Sequence, residues 1–213
     1  MVQNTPPGPK GRGRPRAYDP DEALQRATDK FWKSGYSCTS LDEISAATGM
    51  NRPSLYAAFG DKHALYLKAL ASYWQLSLTA LRDALADGDG TLGEALMRAY
   101  EGQLALYYSG VALPRGCFAV GTATTEAVDD PEIRSLLADG LRALDADFEA
   151  RFRLAREKGE LNGDADPAAL AVLASALLHS LAIRARAGAP RAELTETARK
   201  AVGVICGVSA NAG

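Results

Sequence analysis

The chain has 213 residues, 47% hydrophobic and only 7% aromatic, enough for one small domain plus a larger core without staples. Its three cysteines (Cys38, Cys117, Cys206) and two distant histidines (His63, His179) show neither disulfide nor metal-ligand spacing, so no metal or cofactor is expected. The net charge of −2 hides a split: residues 1–70 hold ten Lys/Arg against seven Asp/Glu, and residues 71–213 fourteen against nineteen. A basic head on an acidic body is what a localised contact with phosphate requires.

Residues 1–18 carry four prolines and three glycines before Ala17 and are expected to form a disordered basic arm. Within it, Arg12, Arg14 and Arg16 alternate with glycine and proline in a pattern similar to an AT-hook, which lays arginines in a narrow A·T-rich minor groove. A generic basic tail that only adds electrostatic affinity fits the same residues, and both readings stay open. Asp19, Pro20 and Glu22 form a helix start signal, followed by Ala23, Leu24, Ala27 and Phe31 at helical spacing and a stop at Gly35.

Residues 39–62, TSLDEISAATGMNRPSLYAAFGDK, then predict two short helices around a glycine turn. Ser40 and Glu43 make a capping box, Gly49 turns the chain, and Asn51 caps a second helix over 52–59. Leu55 and Phe59 point inward, leaving Arg52, Pro53, Ser54 and Tyr56 outside, as a helix entering a DNA groove needs. This segment resembles the DNA-binding module of TetR-family transcriptional regulators, whose LYxxFxxK signature stands here as Leu55, Tyr56, Phe59 and Lys62. Ser45 and Thr48 replace the family's usual alanines, both with small side chains.

The resemblance implies a three-helix helix-turn-helix domain over 19–65 and a larger helical regulatory and dimerisation domain over 66–213, all-α throughout. Thr39, Ser40, Tyr56 and Lys62 would then hold phosphates of a double-stranded operator, and Arg52, Pro53 and Ser54 would lie nearest base edges, with Asn51 at the helix start. It also implies a homodimer that is a repressor, released from a palindromic operator by a small-molecule effector. An architectural DNA-binding protein led by the arm is the alternative, and an all-α enzyme a more distant one. No glycine-rich phosphate loop, nucleophile elbow or local Cys/His pairing supports catalysis.

Beyond Lys62 the pattern predicts a helix to about residue 86, carrying Tyr66, Leu70, Tyr73, Trp74, Leu81 and Leu85 on one stripe, and a turn over 87–90. Further helices are expected at about 91–109, 116–128, 131–159, 167–188 and 191–209. Tyr73, Trp74, Tyr100, Gln103, Cys117, Phe118, Thr122, Phe148 and His179 are candidate lining for an effector pocket, and each one singly is equally at home in a packed core. His179 lines a cavity, bonds a carbonyl or sits at a dimer seam. Cys117 follows Pro-Arg-Gly at a helix start, where the dipole and Arg115 would lower its pKa and make it a redox sensor. A buried structural thiol is the competing reading.

The segment from Ala168 to Ile183 is apolar nearly all round and must be covered on both sides. Leu170, Leu173, Leu177 and Leu181, with Leu194, Ala198, Val202 and Ile205 from the last helix, are expected to form half of an intersubunit four-helix bundle. No secretory signal is recognised, no apolar run is expected to reach the length of a membrane span, and the expected compartment is the cytoplasm.

Overall fold

The computed structural model describes residues 18–86, 90–109 and 113–207. The arm residues Arg12, Arg14 and Arg16 and the turn aspartates Asp87 and Asp89 lie outside the described residues. Among the described residues all regular structure is helical: α1 (Pro20–Ser34), α2 (Leu41–Thr48), α3 (Arg52–Phe59), α4 (Lys62–Leu85), α5 (Leu92–Tyr107), α6 (Thr124–Glu126), α7 (Pro131–Glu157), α8 (Pro167–Arg186) and α9 (Arg191–Ile205). A π-helical turn, Ala119–Ala123, leads into α6.

Local chemistry explains the head. Asp19 accepts from the Asp21 amide with Pro20 in the first turn, and Gly35 leaves α1 with its amide bonded back to Phe31. Both halves of the Ser40–Glu43 capping box form. Gly49 adopts φ 71°, where a side chain would be strained, and Asn51 accepts from the Ser54 amide to start α3. The inward residues Phe31, Ile44, Leu55 and Phe59 then close a small core with Leu65 and Tyr66 of α4. Phe31 meets Tyr66 edge-on at 5.2 Å.

Helix α4 runs from this head into the body, where it packs against α5 and α7. A close crossing lies at Gly140 of α7: a Cβ built there falls 2.0 Å from the Trp74 ring, so only glycine admits the indole. Helices α7, α8 and α9 complete the bundle, α8 lying between α7 and α9.

Two expectations need correction. The helix expected over 116–128 does not start as one. Gly116 sits at φ 64°, and a Cβ there would lie 2.5 Å from the carbonyl of Ala182, so the chain passes flat against α8 before winding into the π turn. An apolar helix of membrane-spanning length also does occur: α8, at 20 residues, is long and apolar enough by length and composition. Ala171, Ala174, Leu178, Leu181, Ala182 and Ala185 bury its inner side inside the bundle.

Gly140→Ala should destabilise the protein by about 1–3 kcal/mol, because the methyl overlaps the Trp74 ring and the packed crossing has no room to yield. Urea denaturation followed by circular dichroism measures it, and an unchanged midpoint would mean the crossing relaxes freely.

Candidate nucleic-acid interface

The outer face of α3 is open. Arg52, Pro53 and Tyr56 are exposed and Ser54 is partly so, while Leu55 and Phe59 on the opposite side are buried. Asn51 is exposed, but its side-chain oxygen is engaged in capping. Arg52 reaches back to α2, donating from Nε and Nη2 to one oxygen of Asp42 at 2.9 and 2.7 Å. Both partners are exposed, so this ion pair orients the guanidinium at little energetic cost to exchange. Asp42 was not among the residues expected from sequence, since a ten-residue separation across a turn carries no periodic signal.

The phosphate candidates separate in space. Ser40 is exposed at the start of α2, its amide and hydroxyl both donating to Glu43. Thr39 is a correction: it is buried, and its hydroxyl donates to the carbonyl of Gly35 at 2.6 Å, so its side chain is not free for a phosphate. Lys62 starts α4 with its ammonium 4.3 Å from the centre of the Tyr36 ring. Glu43 also takes a hydrogen bond from Lys30 of α1 at 2.7 Å, which, with Ser40, holds its carboxyl down at about 2. Its contribution to holding α1 on α2 is therefore complete above the ordinary glutamate range and lost only as pH falls through about 2.

Behind the head lies its joint with the body. Trp32 Nε1 donates to the carbonyl of Gly116 at 3.1 Å, and its ring meets Tyr73 edge-on at 5.0 Å. The Arg115 guanidinium lies 4.2 Å over the same indole and pairs with Asp29. Ser37 donates through its hydroxyl to Glu126 at 2.9 Å, and His63 Nε2 stands 2.7 Å from Asp130. Backbone bonds at the start of α7 and His63 hold the Asp130 carboxyl below its usual range. Two clefts open along this joint. One, of about 550 Å³, is lined by Tyr36, Ser37, Thr122, Glu126 and Asp130 among others. The other, of about 390 Å³, is lined by Cys117, Val120, Gly121, Ala182, Ile183, Arg186 and Ala187.

Most of the residues expected to line an effector pocket are packed in the core. Tyr73, Trp74, Tyr100, Gln103, Phe118 and Phe148 are buried and line neither cleft. Their polar atoms are largely spoken for: Tyr73 donates to Cys117 Sγ at 3.0 Å, Tyr100 to Ala174 O, and Gln103 both accepts from and donates to Ser77. Thr122 bonds Tyr66 and the Phe118 carbonyl and reaches the larger cleft, while Cys117 reaches the smaller. Burial pushes the Cys117 thiol up, opposite to the shift expected from Arg115, whose charge is turned toward Asp29 and Trp32. His179 is half-buried, and burial lowers its pKa.

The expected dimer face also shifts. Leu181, Leu194, Ala198 and Val202 are buried within the chain itself and cannot face a partner. On α8 the open residues are Val172, Leu173 and Ile183, with Leu170 and Leu177 half-buried; on α9 they are Val204 and, in part, Ile205. A helix apolar all round gives no phase from sequence, so the pattern does not tell an inward leucine from an outward one.

A capped helix hairpin with an open second helix, set on a separate helical body, defines a helix-turn-helix regulator. The family model for bacterial regulatory proteins of the tetR family matches residues 23–69, and that for the tetracyclin repressor-like C-terminal domain matches residues 93–202. The chain belongs to the TetR family; it is a DNA-binding transcriptional regulator and not an enzyme. The transcriptional repressor ComR of Escherichia coli is 29% identical over 89% of this chain and 90% of its own. YezE of Bacillus subtilis, an HTH-type regulator, is 32% identical over 75% and 81%. The solved structure of a cysteine mutant of the TetR-family regulator CifR, bound to 26-base-pair operator DNA, is 35% identical, covers 89% of this chain and 98% of its own, and superposes with a TM-score of 0.75.

Ser40→Ala removes the hydroxyl that caps α2 and should cost about 1 kcal/mol of stability. Thermal unfolding compared with wild type measures the loss, and an unchanged midpoint would show that Glu43 alone secures the helix start.

Proposed function

We propose that the protein is a homodimeric repressor that reads a near-palindromic operator with two copies of α3 and leaves it when a small molecule binds the body. The observation that carries this reading is the open outer face of α3, where Arg52, Pro53 and Tyr56 project from a helix start while Leu55 and Phe59 anchor its back. Arg52, Pro53 and Ser54 stand nearest the bases; Ser40, Tyr56 and Lys62 hold phosphates, with Asn51 fixing the helix start. Repression is favoured by ComR, a named repressor, and duplex operator DNA as partner by the CifR complex. In this reading residues 19–65 are the reading head, residues 66–213 the regulatory and dimerisation body, and the arm over 1–18, through Arg12, Arg14 and Arg16, adds minor-groove or electrostatic affinity. The protein works on DNA in the cytoplasm, without a membrane partner.

The two-fold face consists of Leu173, Val172 and Leu177 of α8 with Val204 and Ile205 of α9. Selection of bound duplexes from a random pool tests the reading as a whole: one enriched near-palindrome is expected, and featureless A·T-rich enrichment would replace it with an architectural role led by the arm.

Arg52→Ala should weaken specific binding roughly ten- to a hundredfold and relax preference at one position per half-site. Lys62→Ala should weaken all duplexes alike and reduce the salt slope by about two for a dimer. Competition titrations at several salt concentrations separate the two, and equal losses on specific and random DNA for Arg52→Ala would remove it from base reading.

Leu173→Asp should split the dimer and abolish operator binding together, because an unpaired carboxylate would be buried at an apolar seam. Sedimentation that finds an intact dimer moves the interface elsewhere.

A further inference from the structure

The smaller cleft holds a charge arrangement that the fold alone does not require. Arg186, at the end of α8, donates from Nη1 to the carbonyl of Arg115 at 3.1 Å and, at the long limit of 3.5 Å, to the carbonyl of Trp32. No ion pair to Arg186 occurs among the described residues, and the neighbouring Arg115 uses Asp29. Arg186 thus bonds the backbone of Arg115, whose own guanidinium is turned to Asp29 and the Trp32 ring. The backbone is shaped around Arg186: a Cβ at Gly121 would fall 2.7 Å from its Nη1, and one at Gly116 3.2 Å from its Cβ. The rest of the cleft is apolar or small, lined by Cys117, Val120, Gly121, Ala182, Ile183 and Ala187, and its volume is about 390 Å³.

The geometry points to this cleft as the effector site, taking a small carboxylate with a short aliphatic or aromatic body. Arg186 is exposed at the cleft and free to form a bidentate pair with the carboxylate, and the body rests on Val120, Ala182 and Ile183. A bare inorganic anion is a poorer ligand, because the apolar wall gives it nothing. The same guanidinium touches Trp32, at the end of the first head helix. A ligand that draws Arg186 outward releases its longest and weakest bond, and with it one tie between α8 and α1. That links occupancy of the cleft to the set of the reading head. The link to DNA rests on the repressor reading above; the ligand site does not.

Calorimetric titration of the full-length protein with benzoate and hexanoate, against benzamide and inorganic phosphate, tests the site. Both carboxylates should bind, the amide and phosphate should not, and Arg186→Gln should weaken carboxylate binding roughly tenfold or more. Arg186→Lys should retain part of it. Val120→Trp, which fills the cleft and leaves Arg186 in place, should abolish binding while circular dichroism stays unchanged. Equal carboxylate affinity in wild type and Arg186→Gln, phosphate binding as well as the carboxylates, or no binding at millimolar carboxylate overturns the proposal. Operator titrations with and without benzoate keep the two readings apart. Carboxylate binding without any operator preference defeats the repressor and spares the site; operator binding that no carboxylate perturbs defeats the effector role.

Discussion

The structure depends on how Trp32 is held. It closes α1 at the rear of the reading head, yet it reaches into the body: the Gly116 carbonyl, the rings of Tyr73 and Phe118 and the overlying Arg115. Helices α2 and α3 have eight residues each, too short to persist without tertiary support. They are stable because α1 and α4 are fixed, α1 packing along α4 and tied to the body through this indole. A buried N–H that finds its carbonyl at 3.1 Å also sets direction, which hydrophobic contact alone does not. The orientation of α3 is thus inherited from a residue twenty positions upstream that is itself set by the body.

The filled core has a consequence for regulation. Tyr66, Tyr73, Phe118, Tyr100, Phe148 and Phe152 pack edge-on, tilted or stacked, with ring centres 5.7 to 6.5 Å apart where they meet, and bury the centre of the body. Admitting a ligand among them means parting rings that already satisfy one another, at a cost set by close packing. The joint is different. Its clefts are open, its partners are polar, and the π turn of Ala119–Ala123 leaves the backbone wider than an α-helix would. Sensing is energetically cheaper at the joint than in the core.

What the sequence made legible was local. Asp19 with Pro20, Ser40 with Glu43, Gly49 and Asn51 act within one helical turn, so their chemistry needs no knowledge of the rest of the chain, and the structure has each of these caps. The stripe of α4 was legible for the same reason, its period being a property of one helix. What required the fold was not. Aromatic residues of α4 and α5 announce burial but not whether they enclose space or fill it. In α8 the leucines at 173, 177 and 181 look alike, and only packing against α7 and α9 turns Leu181 inward and leaves Leu173 out. Arg186 carries no signal at all: its partners are carbonyls 71 and 154 residues away, and the glycines that make room for it, Gly116 and Gly121, read as ordinary turn and helix residues.

The size of the joint suits a switch. Changing operator affinity a hundredfold needs a difference of about 2.7 kcal/mol between the two settings of the head. Net hydrogen bonds contribute about 1 kcal/mol each, and those to charged groups somewhat more. Among such contacts between head and body are Trp32 to Gly116, Arg115 to Asp29, Ser37 to Glu126, His63 to Asp130 and Arg186 to Trp32. Rearranging two or three of them supplies the required difference without unfolding either part. A joint of one contact would be too weak to set the head, and a hydrophobic seam of core size too strong for a small molecule to move. Polar contacts around a single anchored indole lie between those limits, so the head can be rigid enough to read DNA and still respond to a ligand of modest affinity.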